Sequence, residues 1–114
     1  MSIKIYHNPR CKKSRAGKQF LEDNNIDFEV VEYIKEPFTE EALKKLLLKL
    51  NLQPHEIIRT QEEVVKRNFK NKSFTGEEWI KIMIENPRII QRPIVEGHYK
   101  AVIGDPVDNI NKVL

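Results

Sequence analysis

The hydrophobic period of this chain changes at Asn8-Pro9, and the change restricts how the opening segment can fold. Ile3 and Ile5 alternate with Ser2, Lys4 and Tyr6, the repeat of a strand with one buried face. The Asn-Pro pair ends that repeat. Beyond Cys11, the residues Ala16, Phe20 and Leu21 fall on one helical face, and Asp23-Asn24-Asn25 closes the helix. Phe28-Glu29-Val30-Val31-Glu32-Tyr33 then reads as a second strand. A strand, a helix and a strand sharing one apolar face fold as a βαβ crossover, which makes the two strands parallel.

The middle of the chain is helical. Thr39 is placed to cap a helix whose Glu40 and Glu41 suit the positive end of the dipole, and Leu43, Leu46, Leu47 and Leu50 follow the spacing of one buried face. Gln53-Pro54-His55-Glu56 opens a further turn leading to Ile57, Ile58 and Arg59, and another helix is expected from Glu62 to Arg67. Thr75-Gly76-Glu77-Glu78 is a capping-box pattern ahead of Trp79, Ile82 and Met83, and Asn86-Pro87 ends that helix. Pro93-Ile94-Val95, a turn containing Gly97, and Tyr99 to Ile103 read as a hairpin. Asp105 as N-cap and Pro106 at the first helical position introduce a last helix, with Val107, Ile110 and Leu114 on one face. The expected fold is α/β: a thioredoxin-like βαβ, a helical insertion at about 37–90 and a ββα, with a four-stranded mixed sheet in one domain spanning 1–114.

Composition narrows the function classes. With 114 residues the chain has the size of one domain, and 39% apolar with 32% charged residues is a globular balance. The net charge of +3 is modest, and the densest basic stretch, Lys66-Arg67-Asn68-Phe69-Lys70-Asn71-Lys72, holds a single aromatic, so nucleic acid is not an expected partner. No apolar run reaches membrane-spanning length, and Met1-Ser2-Ile3-Lys4-Ile5 lacks the apolar core of a signal peptide. One cysteine cannot form an internal disulfide, and a cytoplasmic location is expected.

That cysteine is the candidate nucleophile. Cys11 stands where a strand turns into a helix, with Arg10, Lys12, Lys13 and Arg15 close in sequence. Unpaired N–H groups and the positive end of a helix dipole both favour thiolate, and the same N–H groups form a cradle for an anion beside the sulfur. His7, on the loop, is placed to supply positive charge or a hydrogen bond, with loop packing as its other reading. Ser14, one turn into the helix, could donate to the thiolate.

The run His7-Asn8-Pro9-x-Cys11-x-x-Ser14-Arg15, the segment Ile57-Ile58-Arg59 and Arg92-Pro93-Ile94-Val95 together resemble the glutaredoxin-coupled arsenate reductase family, over essentially the whole chain. The resemblance implies a thiolate that attacks arsenate, glutathione as co-substrate, glutaredoxin as the protein that resolves a mixed disulfide, and neither a bound cofactor nor a metal. It makes Cys11 the nucleophile and His7 its activator, gives Arg59 and Arg92 to the oxyanion, and implies a cis bond at Pro93. Guanidinium forks suit a tetrahedral dianion and relieve its repulsion from an anionic sulfur. The last oxyanion-binding arginine of the family would fall near the start of the final helix, where this chain reads Ile103-Gly104-Asp105-Pro106. A carboxylate there would repel a dianion. Ser14 also stands where the related Spx-like regulators carry a second cysteine. The alternatives are therefore an Spx-like protein-binding transcriptional regulator that acts on RNA polymerase, or a thiol redox protein of the same fold with a substrate other than arsenate.

Overall fold

The structure, a computed structural model, describes residues 3–114. Met1 and Ser2, the latter included above in the first strand, lie outside them. The chain divides into two compact units: residues up to Glu36 together with Arg92–Leu114, and Pro37–Gln91.

The first unit is built on a four-stranded sheet in the order β2-β1-β3-β4, with β1 at Ile3–Tyr6, β2 at Phe28–Val31, β3 at Ile94–Glu96 and β4 at Ala101–Ile103. The β1 and β2 strands are parallel, with Ile3 opposite Phe28 and Tyr6 opposite Val31. Their connection carries α1, Lys12–Asp23, as the sequence requires of a crossover. The β3 strand runs antiparallel to β1, with Val95 opposite Ile5, and β4 returns antiparallel to β3. Ile5, Leu21, Val95 and Ile110 are fully buried at the centre of this unit, with Phe20, Ile26, Phe28, Val102 and Val113 packed around them.

Two expectations are corrected here. The inward stripe of α1 is Ser14, Gly17 and Leu21, with Phe20 half-buried, while Ala16 is exposed. Hydrophobicity alone picked the wrong small residue, because the close neighbour of this helix is Pro93: a Cβ on Gly17 would lie 2.7 Å from its Cγ. The last element is a 3-10 helix, Val107–Val113, rather than an α-helix capped by Asp105. Its N-cap is Pro106, and the Asp105–Pro106 peptide is cis. With about three residues per turn, positions spaced by three eclipse. Ile110 and Val113 therefore pack on the core while Leu114, which the α-helical period had placed inward, is 52% exposed.

The second unit holds α2 at Glu40–Leu50, α3 at Glu63–Asn68 and α4 at Gly76–Glu85, with 3-10 turns at Pro54–Ile57 and Pro87–Ile89. The expected caps are formed. Thr39 Oγ1 accepts from the Ala42 N–H at 3.1 Å, and Thr75 and Glu78 make a reciprocal capping box. Leu43, Leu46, Leu47 and Leu50 are buried on α2, and Ile80 and Met83 on α4. An antiparallel bridge between Ile58 and Ile90 ties the middle of this unit to its end, reinforced by N–H bonds from Arg59 to Ile89 O and from Gln91 to Ile57 O. The alternation rules had no purchase on a bridge of one residue pair.

Candidate active site at the start of the first helix

The loop that carries the thiol is organised by Asn8 and Ser14. Asn8 is nearly buried; its carbonyl accepts from the Cys11 N–H at 3.0 Å and its Oδ1 from the Arg10 N–H at 3.1 Å. Ser14 has no exposed surface, and its Oγ accepts from the Asn8 N–H at 2.9 Å while lying 2.7 Å from His7 Nδ1. The Ser14 hydroxyl can donate to an unprotonated Nδ1 or accept from a protonated one, and either tautomer of His7 keeps this bond. The Ser14 hydroxyl bridges His7 and Asn8, and its backbone N–H favours the Cys11 anion.

Burial lowers the pKa of His7, with the positive charges of Lys18 and Arg15 adding to the effect and Glu32 opposing it. His7 is therefore neutral near neutral pH and brings no cation to the sulfur. Its side-chain partner at the site is Ser14.

Cys11 is the N-cap residue of α1, in extended conformation, and is partly exposed. Burial alone would raise its pKa, but the net shift is downward. The Arg92 side chain hydrogen-bonds the sulfur and adds its charge, and the N–H groups of Ser14 and Lys13 also favour the anion. The first turn of α1 contains no acidic residue and begins with Lys12 and Lys13. Cations at the positive end of a dipole work against helix stability and in favour of a nearby anion.

Pro93 follows Arg92 through a cis peptide and is buried between two glycines. Gly17 meets it from α1, and a Cβ on Gly104 would lie 3.2 Å from the same ring carbon. The Gly104 N–H donates to Pro93 O at 2.8 Å. Cys11, Arg92, Pro93, Ser14 and His7 thus all belong to the first unit and meet through α1 and the start of β3. Arg59 belongs to the second unit. Its guanidinium is largely buried, with Nη1 3.8 Å from Glu62 Oε1.

The sequence model of the ArsC family matches residues 6–113. The chain belongs to the ArsC family. Among curated relatives it is 37% identical to the uncharacterized protein YfgD of Escherichia coli, covering 98% of this chain and 96% of that one. It is 36% identical to an arsenate reductase of Neisseria meningitidis serogroup A, over 98% and 97% of the two chains. The solved structure of an arsenate reductase from Vibrio cholerae superposes with a TM-score of 0.93 at 34% identity, covering 100% of this chain and 98% of that one.

Asp105 is the residue the sequence placed where the resemblance implied an arginine, and the structure gives its carboxylate a partner. It does not cap a helix; its Oδ2 lies 2.9 Å from Lys13 Nζ. Lys13, Asn8, Gly17 and Gly104 are the site residues that sequence reasoning passed over. Gly17 had given a signal, since a glycine inside a helix costs about 1 kcal/mol relative to alanine and implies a close neighbour. Among the described residues no group of His, Cys, Asp and Glu side chains is arranged to hold a metal ion, and no helix is long and apolar enough to cross a membrane.

Proposed function

We propose that this ArsC-family chain is a thiol oxidoreductase that reduces arsenate to arsenite through Cys11, with glutathione as co-substrate and glutaredoxin as the resolving partner. The observation that carries the reading is the pairing of Cys11 with Arg92 at the start of α1, which favours the thiolate and holds a guanidinium beside it. The names of the relatives from Neisseria meningitidis and Vibrio cholerae support arsenate as the substrate.

The thiolate forms a sulfur–arsenic bond, and one arsenate oxygen leaves as water after protonation. A glutathione thiolate then attacks the Cys11 sulfur. As the sulfur–sulfur bond forms, the electron pair of the sulfur–arsenic bond stays on arsenic, which leaves as arsenite. Two thiols have supplied two electrons and are joined as a mixed disulfide. With Ser14 at the helical position nearest to a resolving role and Cys11 the sole cysteine, the second thiol comes from outside the chain. Glutaredoxin takes the glutathione from Cys11 and restores the thiol. Chemistry of this kind suits a reducing compartment such as the cytoplasm.

Arg92 and the N–H groups of α1 bind the oxyanion in this scheme, Arg59 is the further arginine assigned to it, and His7 with Ser14 positions the loop. The test is arsenate-dependent NADPH oxidation with glutathione, glutaredoxin and glutathione reductase. Activity that Cys11→Ser abolishes and Arg59→Gln weakens through KM is expected. No arsenate dependence, with a normally reactive thiol, would reject arsenate as the substrate.

A further inference from the structure

Two charged side chains belong to the backbone segments that frame the thiol. Lys13 is the second residue of α1, and its own N–H is one of the groups that favours the Cys11 thiolate. Asp105 follows Gly104, whose N–H is bonded to the carbonyl of Pro93, the neighbour of Arg92. Lys13 is thus tied to the thiol through its own backbone, on the helix, and Asp105 follows a residue bonded to the neighbour of Arg92, on the segment after β4. Their side chains meet at 2.9 Å, with 59% of Lys13 and 40% of Asp105 exposed.

Other cations in this part of the sequence are also committed. Arg15 donates from Nη1 to Pro9 O at 2.9 Å, and Lys18 pairs with Glu22 at 3.1 Å. Lys13 lies closest in sequence to the sulfur among those whose charge is cancelled by a carboxylate. An anion approaching the partly exposed thiol meets a dipolar pair at this position, with no net charge. The difference between that pair and a single ammonium grows with the charge of the incoming group, because Coulomb energy is proportional to it.

We propose that the Lys13–Asp105 ion pair is a charge-selectivity element of the Cys11 site, which withholds the Lys13 cation and so favours the singly charged form of an oxyanion such as arsenate, and neutral electrophiles, over the dianion. The proposal rests on the reading of Cys11 as the reacting thiolate, and it assigns a role to two residues that do not contact the reacting atoms. The pair acts through the local potential, so its effect differs between reagents of different charge. A contribution limited to holding α1 against the segment after β4 would alter reactivity toward all reagents alike.

The experiment uses the full chain and two alkylating reagents of similar size, neutral iodoacetamide and anionic iodoacetate. Their second-order rate constants with Cys11 are measured at low ionic strength for the parent, Asp105→Asn, Lys13→Gln and the double variant. The ratio of the iodoacetate to the iodoacetamide rate cancels any change in the fraction of thiolate. Both side chains are substantially exposed and screened, so the expected rise in that ratio for Asp105→Asn is about two- to fivefold. Lys13→Gln lowers the ratio by a similar factor, and the double variant returns close to the parent. Salt compresses all the differences. A ratio unchanged in Asp105→Asn overturns the proposal, as does a change in both rates by the same factor. Failure of the underlying reading looks different: Cys11 would then react with iodoacetamide no faster than an ordinary thiol, in every variant.

Discussion

Removing one buried oxygen, in Ser14→Ala, tests how the thiol loop is held. Ser14 has no exposed surface and its Oγ serves two partners, the Asn8 N–H at 2.9 Å and His7 Nδ1 at 2.7 Å. Alanine leaves both without that partner, and His7 and Asn8 are themselves nearly buried. An unsatisfied buried donor or acceptor costs about 1–3 kcal/mol, so the two groups together give a loss of about 2–6 kcal/mol where no water replaces Oγ. A chain of this length has a stability on the order of 10 kcal/mol, and the variant remains folded. Urea unfolding measures the loss, read as a lower midpoint at unchanged slope. A double-mutant cycle with His7→Leu isolates the Ser14–His7 bond, and the coupling is expected near 1 kcal/mol. The functional consequence follows from Asn8, which holds the N–H groups of both Arg10 and Cys11. Once Asn8 loses its bond to Ser14, alkylation of Cys11 should slow although the N–H of residue 14 is still present. A stability loss under about 0.5 kcal/mol would refute the reasoning, since it would mean that the two buried groups were never dependent on Oγ.

Three further outcomes follow from the same geometry. Arg92→Gln removes both the hydrogen bond and the charge that favour the Cys11 thiolate, so the midpoint of the alkylation rate against pH should move upward; an unmoved midpoint would assign the activation to the helix start alone. Gly17→Ala gains about 1 kcal/mol of helix propensity but sets a Cβ 2.7 Å from Pro93 Cγ, and overpacking of about 1–3 kcal/mol should make the variant less stable in urea; a more stable variant would show that the two elements separate freely. The pKa of His7 is lowered in the folded state, so between that value and the ordinary 6.5 the unfolded chain binds the extra proton. Stability should therefore be unaffected by this group above about pH 6.5 and should fall as pH drops below it, and His7→Gln should flatten that acid slope in unfolding experiments.

Local pattern carried most of the secondary structure. Thr39 and Thr75 cap the helices they precede because capping depends on a few adjacent residues, and the α2 leucines point inward because their spacing leaves one apolar face. The final helix shows the limit of that logic. An acid followed by proline is a start signal for an α-helix, yet the chain forms a 3-10 helix there, with Val113 and not Leu114 on the core. Which period wins was decided by the packing surface of the sheet. The same limit explains Ala16 and Gly17, which differ by one methyl group, the first exposed and the second buried.

The sequence by itself determined that Cys11 opens a helix among cations, that this setting favours its thiolate, and that no second cysteine of this chain can resolve it. These follow from residue identity and order. Only tertiary structure decided which cation reaches the sulfur. Arg92 does so from the far end of the sequence, whereas Arg15 turns to Pro9 and Lys13 to Asp105. It also decided that His7, legible as a source of charge, is neutral and tied to Ser14. The physical reason is the same in each case: charge and hydrogen-bonding capacity belong to a residue, but their partners are set by distances between elements that the sequence places apart.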